Sequence, residues 1–466
     1  MNSFSDLLQA DRGQPAHPLL LVDQAGFEGW LKQLTPRMRA AAGAQRFAGK
    51  PGELAILPGE GPEDWSAALG VESIDTLGPW DLAKAADALP EGSYRLEVSP
   101  GQALLGWLLA QHRFERYRSP ETPAGPRVLV TADAARIDES VRLAGAVALV
   151  RDLVNTPTED MGPAQLETAA EEVAGRGGAS LRITKGDDLA RDFPLINAVG
   201  RAAAADRGPR LIELEWGNPA NPRIAVVGKG VCFDTGGLDI KPSSGMRLMK
   251  KDMGGAAHAL ALAQLIVEAR LPVRLHLLIP AVENAIAGNA MRPGDVLRSR
   301  KGLSVEVSNT DAEGRLILAD ALTRAGEEKP ELVIDFGTLT GAARVALGPD
   351  LPATFANNDT LADDLLTAAR DVADPLWRMP LWSGYDEMLR SDIADLDNAP
   401  EGGMAGAVTA ALFLQRFVDA STPWVHLDTF AWRPSPKPGR PKGGEALGLR
   451  ACWELLRRRY LSVPAG

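Results

Sequence analysis

The N-terminal part of the chain carries short apolar runs separated by polar and glycine-containing turns. Runs of this kind, bounded by turn residues, are typical of β-strands. Residues 102–112 instead place apolar side chains at helical spacing, which predicts a buried helix face. The predicted strands lie at 19–22, 54–57, 94–98 and 127–133. We therefore expect a small α/β domain over residues 1–137.

A longer amphipathic pattern follows at residues 138–155. It begins with Asp138 and Glu139, and Thr156-Pro157 follows its last residue. Acidic side chains favour a helix N-terminus, and proline ends a helix. We interpret this segment as one helix between two domains. The predicted organisation is an N-terminal domain at 1–137, a linking helix at 138–156 and a larger catalytic domain at 157–466.

Beyond residue 180 the pattern alternates between apolar runs and helical segments of about a dozen residues. Strands are predicted at 210–216, 224–227, 273–281, 303–309 and 332–339, and helices at 255–269 and 316–325. This alternation predicts an α/β fold in which helices cover both faces of a mostly parallel sheet. In such sheets, ligands bind beyond the carboxyl ends of the strands.

Composition narrows the class of protein. The 466 residues are 45% hydrophobic and 24% charged, as in globular enzymes. The formal charge of -11 argues against nucleic acid as a partner, because non-specific binding needs a dense basic surface. Cys232 and Cys452 are the only cysteines, which fits a reducing compartment. Asp6 and Asp11 stand where a signal peptide is basic or apolar, and no long apolar run predicts a membrane span. We expect a cytoplasmic protein.

Four acidic residues stand out in the region 224–316. Asp234, Asp252, Asp311 and Glu313 each follow a strand-like run or lie in a glycine-flanked turn. Two divalent cations about 3.5–4 Å apart need bridging carboxylates, and together they can activate water and polarise a carbonyl. Asp311 and Glu313 would point the same way if their segment is extended. The motifs HExxH, GxSxG and GxxxxGK[ST] do not occur.

Each acid also has a structural interpretation, because exposed charge is the default for such residues. An Asp-x-Glu turn is usually a solvated loop, and Lys250-Lys251-Asp252 is usually a surface charge pair. Lys229 is harder to explain in this way, because it follows four apolar residues and lies between glycines. A buried lysine needs an acidic partner or a lowered pKa, and a neutral lysine amine can ligate a metal.

Two stretches of this region closely resemble the leucyl aminopeptidase family, also called the cytosol aminopeptidases. They are VGKGVCFDTGGLDIKPSSGMRLMKKDMGGAA at 227–257 and NTDAEGRLILADAL at 309–322. The second contains the complete family octapeptide at 309–316. Further agreement occurs in RDLVNTPTEDMGP at 151–163, GTLTGA at 337–342 and GGMAGAVTAALFLQRFV at 402–418. The resemblance therefore covers most of residues 140–428 and is weak before residue 137.

The resemblance implies a dinuclear metal-dependent exopeptidase. It implies that two divalent metal ions per subunit, zinc, manganese or magnesium, are held by Lys229, Asp234, Asp252, Asp311 and Glu313. It places Lys241 and Arg315 at the family's catalytic positions. There Lys241 would stabilise an oxyanion, and Arg315 would bind the bicarbonate that relays a proton. The substrate's free α-amine would ligate one metal, which restricts cleavage to the N-terminal residue.

The side-chain pocket both follows and departs from the family pattern. Met249, Thr338 and Gly341 agree with the usual pocket residues. After Asp428 the family commonly has Ile-Ala-Gly, whereas this chain has Thr429-Phe430-Ala431 and then Trp432-Arg433. We expect Phe430 to reshape the pocket and Arg433 to favour an acidic or polar partner, which puts a leucine preference in doubt.

The family fold implied is a small N-terminal α/β domain joined by a long helix to a larger catalytic domain. Its members form homohexamers that admit short peptides. Our hypothesis is therefore an aminopeptidase that releases N-terminal residues from peptides through a water bridging two divalent cations. The rival reading is a DNA-binding scaffold, since some family members bind DNA, and the charge of -11 argues against it. An inactive homologue is disfavoured because no ligand position is lost.

Overall fold

The structure is a computed structural model, and it describes residues 3–61, 63–118, 125–400 and 402–461. The chain divides into two compact units. The first contains Met1–Ala148 and Ser435–Lys442, and the second contains Leu149–Pro434 and Gly443–Gly466. The predicted α/β class with a smaller N-terminal part and a larger catalytic part is confirmed. Among the described residues, none of the helices has the length and apolar character needed to cross a membrane.

In the first unit, six strands of the described residues form one sheet. They are β1 (Leu8–Ala10), β2 (His17–Val22), β3 (Leu54–Pro58), β4 (Trp65–Gly70), β5 (Gly92–Leu96) and β6 (Arg127–Thr131). The order is β1-β6-β5-β2-β4-β3, and only the β3–β4 pair is antiparallel. The helices are α1 (Phe27–Gln33), α2 (Pro36–Ala44), α3 (Ala83–Ala88) and α4 (Leu104–Leu109). Val22, Phe47 and Leu57 form part of a core between helix and sheet.

The predicted linking helix is present as α5, which spans Ile137–Asn155. Asp138 and Glu139 lie in its first turn, where negative charge complements the helix dipole. The division into compact units falls within this helix, between Ala148 and Leu149.

The sheet of the second unit positions the functional residues. Its strands are β7 (Ser180–Lys185), β8 (Arg210–Trp216), β9 (Arg223–Gly228), β10 (Gly230–Asp234), β11 (Arg274–Asn284), β14 (Leu332–Gly337), β15 (Ala353–Ala356), β16 (Trp377–Arg378) and β18 (Trp424–Asp428). The order is β16-β15-β18-β14-β9-β11-β8-β7, and β10 also pairs with β11. The central run β18-β14-β9-β11 is parallel, as predicted. By contrast, β8 is antiparallel to β11 and β7, and β15 is antiparallel to β18 but parallel to β16.

Helices and two small sheets complete the second unit. The helices are α6 (Pro163–Gly177), α7 (Gly186–Asp192), α8 (Pro194–Gly200), α9 (Ser243–Met246), α10 (Gly254–Glu268), α11 (Glu313–Glu327), α12 (Gly341–Leu347), α13 (Asp359–Asp371), α14 (Gly406–Gln415) and α15 (Leu449–Tyr460). The small sheets contain β12 (Val296–Arg298), β13 (Ser304–Glu306) and β17 (Leu396–Asp397), and β19 (Trp432–Arg433) with β20 (Gly443–Gly444). Apolar residues of α11 and α14 form a core with those of β9 and β14.

Two expectations about the 303–316 region are wrong. The predicted strand 303–309 is shortened to β13, which belongs to the small sheet with β12 and β17 and not to the central sheet. Asp311 and Glu313 do not alternate along an extended segment, because Asp311 lies in a turn and Glu313 is the first residue of α11. A helix start, rather than a strand pleat, therefore orients Glu313.

Candidate metal centre

An interruption between two strands positions Lys229. Strands β9 and β10 pair one after the other with β11, and Lys229 lies between them. Its backbone N donates to Phe336 O (2.9 Å), and its O accepts from Ala256 N (2.8 Å). These bonds fix the backbone at the carboxyl end of the central strands, where the side chain is buried. The sequence-based expectation of a buried lysine is therefore met.

Three other elements bring the acids to the same edge. Asp234 is the last residue of β10, and Asp252 lies on a short 3₁₀ helix, Met249–Met253, directly before α10. Glu313 begins α11. Oxygen atoms of these three buried carboxylates all lie within 4.8 Å of one another. Groups separated by up to 79 positions in the sequence thus form one cluster.

Lys229 lies between two of these acids. Its Nζ is 2.7 Å from Asp252 Oδ2 and 3.0 Å from Glu313 Oε1. Burial disfavours its charge, but Asp252, Glu313 and Asp234 outweigh that effect and raise the pKa of the ammonium above its ordinary value. The charge of the buried lysine is therefore stabilised by its acidic partners, and not avoided through a lowered pKa. To ligate a metal, Lys229 has to release its proton.

Lys241 lies between the other two predicted ligands. Its Nζ is 2.7 Å from Asp234 Oδ2 and also forms an ion pair with Asp311. Burial lowers the pKa of Lys241, but Asp234 more than offsets this and raises it overall. The turn leading to Lys241 needs Gly236, which has a φ of +90° and lies so close to Asp239 O that a Cβ would be 2.4 Å away.

The carboxyl groups themselves have strongly perturbed pKa values. Burial, with the added charge of Asp234, raises the pKa of Glu313 to about 8 and that of Asp311 to about 6. Burial opposes ionisation of Asp252 as well, but Lys229 and Lys251 lower its pKa to about 2. Crowded acids that repel one another in this way are typical of a site that binds cations.

The residues that hold these groups in place were not found from the sequence. Asn284, at the end of β11, donates through Nδ2 to Asp234 Oδ1 (2.8 Å) and to Thr310 O (3.1 Å). Thr310 N donates to Asp239 Oδ2 (2.7 Å), which ties the turn before Asp311 to the turn before Lys241. Asn284 follows Glu283 just after the largely apolar run at 275–282, and this position after a predicted strand is its signal in the sequence.

Arg315 is buried in the first turn of α11. Its Nη1 donates to Asn398 O (2.7 Å). Burial lowers the pKa of the guanidinium to about 10, and Glu313 and Asp428 oppose the effect. The group remains charged at neutral pH and has further N–H donors for an anion.

The predicted pocket residues fall into two groups. Met249 and Thr338 lie next to Asp252, because Met249 opens the same 3₁₀ helix and Thr338 Oγ1 donates to Asp252 Oδ1 (2.8 Å). Gly341 begins α12. The ring of Phe430 contacts two cations, with Lys251 Nζ 5.6 Å and Arg344 Cζ 4.8 Å from its centroid.

Arg433 has a different environment. It is buried on β19, with Nη2 2.9 Å from Asp350 Oδ1 and Nε 3.5 Å from Glu445 Oε2. Its charge is therefore balanced by acids of the protein itself.

The donor set fits divalent cations. Asp252 Oδ2, Asp311 Oδ1 and Glu313 Oε1 are buried and lack a well-directed hydrogen bond from any described residue, although lysine ammonium groups lie close to them. Hard oxygen donors of this kind suit manganese, magnesium and zinc. Cations would relieve the repulsion that raises the pKa of Glu313 and Asp311.

A buried cluster of carboxylates and lysines at the carboxyl end of a parallel sheet has the location and the donor atoms of a metal-dependent hydrolytic site. The sequence pattern of the cytosol aminopeptidase family, catalytic domain, matches residues 148–453, and that of the M17 aminopeptidase N-terminal domain matches residues 17–130. The chain belongs to the cytosol aminopeptidase family, and it is a metal-dependent aminopeptidase. The family assignment made from the two motif stretches is confirmed.

Individual relatives agree with this assignment. A probable cytosol aminopeptidase of Syntrophotalea carbinolica is 41% identical over 81% of this chain and 79% of its own length. The crystal structure of a cytosol aminopeptidase from Coxiella burnetii, 44% identical, superposes with a TM-score of 0.92 over 98% of this chain and 100% of that one. The bottromycin maturation enzyme BotP in complex with Mn is 32% identical, with a TM-score of 0.83 over 90% and 96% of the two chains.

Proposed function

We propose that this aminopeptidase releases N-terminal residues from short peptides at two divalent cations held by Lys229, Asp234, Asp252, Asp311 and Glu313. The observation that carries the proposal is the cluster of Asp234, Asp252 and Glu313, whose buried oxygens lie within 4.8 Å of one another. The ammonium of Lys229 pairs with Asp252 and Glu313 of this cluster. Burying three acids together is costly unless cations neutralise them. The pair of cations would activate a water molecule and polarise the scissile carbonyl.

The remaining side chains have separate tasks in this proposal. Lys241 supplies a positive charge beside Asp234 and Asp311, where the oxyanion of the tetrahedral intermediate needs stabilisation. Arg315 would hold bicarbonate through its guanidinium N–H groups, and a bicarbonate bound there would supply the general base that a carboxylate or histidine provides in other hydrolases. Thr338 and Asn284 fix the rotamers of Asp252 and Asp234.

We further propose zinc, manganese or magnesium as the ions, a homohexamer as the assembly and the cytoplasm as the compartment. Manganese is supported by the Mn complex of the related enzyme BotP. The cytoplasm is the compartment in which unpaired thiols such as those of Cys232 and Cys452 stay reduced.

The test removes single carboxylates. Asp311→Ala and Glu313→Ala should abolish hydrolysis of aminoacyl p-nitroanilides in zinc, manganese and magnesium alike, and should lower the bound metal below two ions per chain in elemental analysis. Asp363→Ala is the matched control, because Asp363 is an exposed acid on α13. Full activity in either site variant, with two metals still bound, would overturn the ligand assignment.

A further inference from the structure

The two oxygens of Asp252 face different partners. Oδ2 is 2.7 Å from Lys229, on the side of the other carboxylates. Oδ1 accepts from Thr338 Oγ1 (2.8 Å) and is 3.5 Å from Lys251 Nζ. Lys251 therefore lies on the Thr338 side of Asp252, and Thr338 is one of the predicted pocket residues. The Lys251 side chain is 3% exposed, so its position is fixed by packing.

The ring of Phe430 lies near Lys251 and near a second cation, Arg344. Its ring centroid is 5.6 Å from Lys251 Nζ and 4.8 Å from Arg344 Cζ, both within the range of a cation–π contact. Arg344 lies on α12 one turn after Gly341, and its Nη2 would be 3.5 Å from a Cβ on that glycine. Two positive charges therefore lie near the ring of Phe430, Lys251 on the side of Thr338 and Arg344 next to Gly341.

These two charges are poorly neutralised by the protein. Among the described residues, Lys251 has an ion pair with Asp252 alone, and Asp252 is shared with Lys229; Arg344 has none. Asp428 is a further acid near Lys251 among the described residues, and it already accepts from Leu339 N (2.9 Å) and from Thr340 Oγ1 (2.6 Å). A substrate carboxylate placed near Lys251 and Arg344 would offset the repulsion between these two cations.

We propose that Lys251 and Arg344 make this aminopeptidase selective for substrates whose N-terminal residue has a carboxylate side chain, aspartate or glutamate. The inference rests on the proposed function, because it assigns the substrate class of the same site. Arg433, the cation that the sequence pointed to, is already balanced by Asp350 and Glu445. Phe430 contributes by holding both cations and by reducing the space for a branched apolar side chain.

The test compares kcat/KM for glutamyl, aspartyl, leucyl and lysyl p-nitroanilides with the manganese-loaded enzyme. The wild type should prefer the acidic substrates. Arg344→Gln should lower the glutamyl-to-leucyl ratio about tenfold, the usual effect of losing one charge-assisted contact. Arg344→Glu should move the preference towards the lysyl substrate. Lys251→Met should act like Arg344→Gln, and Arg370→Gln, an exposed arginine on α13, should leave the ratio unchanged.

The results separate the two proposals. A wild type that prefers the leucyl substrate, or a glutamyl-to-leucyl ratio that is the same in wild type and Arg344→Gln, overturns the acidic selectivity while the aminopeptidase proposal stands. Absence of hydrolysis for every substrate in every metal overturns both. Because Arg344 lies on the partly exposed helix α12, its variants test the inference even if Lys251→Met does not fold.

Discussion

At the scale of single residues, Lys229 has two tasks that the structure separates. Without a metal its ammonium neutralises Asp252 and Glu313, and as a ligand it would have to give up the proton that makes this possible. Lys229 Nζ therefore stabilises the fold by pairing with the acids when no metal is bound. When a metal is bound, the same nitrogen would coordinate it instead. Loss of the side chain affects both.

Lys229→Met leaves two buried acids without their cation. Breaking a buried pair by removing one partner costs about 3–5 kcal/mol. We expect a free energy of unfolding lower by that order in urea titrations with EDTA, and fewer than two metal ions retained after dialysis against manganese. Lys185→Met is the control, since this lysine is exposed at the end of β7 and should change stability by about 0.5 kcal/mol or less. Equal stability and metal content in the two variants would contradict the prediction.

At the scale of elements, α11 shows how closely a helix must approach the lysine. A Cβ on Gly314 would lie 2.5 Å from Lys229 Cε and 2.7 Å from Nζ. The glycine at the second position of this helix therefore makes room for the side chain between Asp252 and Glu313. At the other end of the helix, a Cβ on Gly326 would meet nothing within 4 Å.

Gly314→Ala and Gly326→Ala should consequently have opposite effects. Alanine at 314 displaces Lys229, and we expect a loss of stability of about 1–3 kcal/mol together with weaker metal retention. Alanine at 326 should increase stability by about 0.5–1 kcal/mol, because it favours the helix and touches nothing. Thermal unfolding with and without manganese measures both. A Gly314→Ala enzyme with unchanged metal content would show that the close approach is not needed.

The pattern of the sequence predicted long elements well and short ones poorly. The helices expected at 138–155 and 255–269 occur as Ile137–Asn155 and Gly254–Glu268, because many residues repeat the same spacing. The short run at 303–309 could not reveal which sheet it joins. Glu313-Gly314-Arg315 has no apolar periodicity, so the helix start there was missed.

Some residues of the site could be predicted from sequence motifs, whereas others are recognised only from their contacts in the structure. The motifs identified the acids and Lys229. The structure brings Asp234, Asp252, Glu313 and Lys229 together, and Lys241 joins Asp311 to Asp234. Asn284, Asp239 and Arg344 act across contacts that no local pattern encodes. The contact between Arg433 and Glu445 is likewise one that no local pattern encodes.

Strands β14 and β18 are linked by a buried ion pair that makes stability depend on pH. Asp335 and His426 are in register, with His426 Nδ1 2.6 Å from Asp335 Oδ1. Burial lowers the pKa of the imidazole, but Asp335 more than offsets this and raises it above its ordinary value. A raised pKa gives stability that is complete below the unfolded value of about 6.5 and is lost as pH rises through the folded value.

His426→Gln should remove this pH-dependent component. Between pH 6 and pH 9 the thermal midpoint of the wild type should fall relative to that of the variant, because only the wild type loses the stabilising imidazole proton as the pH rises. Circular dichroism at a series of pH values makes the comparison. A constant difference between the two proteins over this range would mean that the His426 proton does not contribute.

At the scale of the whole molecule, the exposed surface of the second unit bears on the proposed assembly. Val345, Met404 and Ile393 are 89%, 78% and 65% exposed in the single chain. Apolar side chains at such exposure are removed from water only if another chain covers them. Covering them with copies of the same chain would gain about 25 cal/mol for each Å² of apolar surface removed from water.

The proposed homohexamer predicts a particle of six times the 49.5 kDa chain mass. Because the exposed side chains named above are apolar, we expect sedimentation equilibrium to give the same mass at 0.1 M and 1 M salt, where ion pairs at the surface are screened. An assembly held mainly by charge would dissociate at the higher salt, and Met404→Asp would then have little effect on it. A fully active particle with the mass of one chain would contradict the hexamer, and would mean that each metal centre works without a neighbouring subunit.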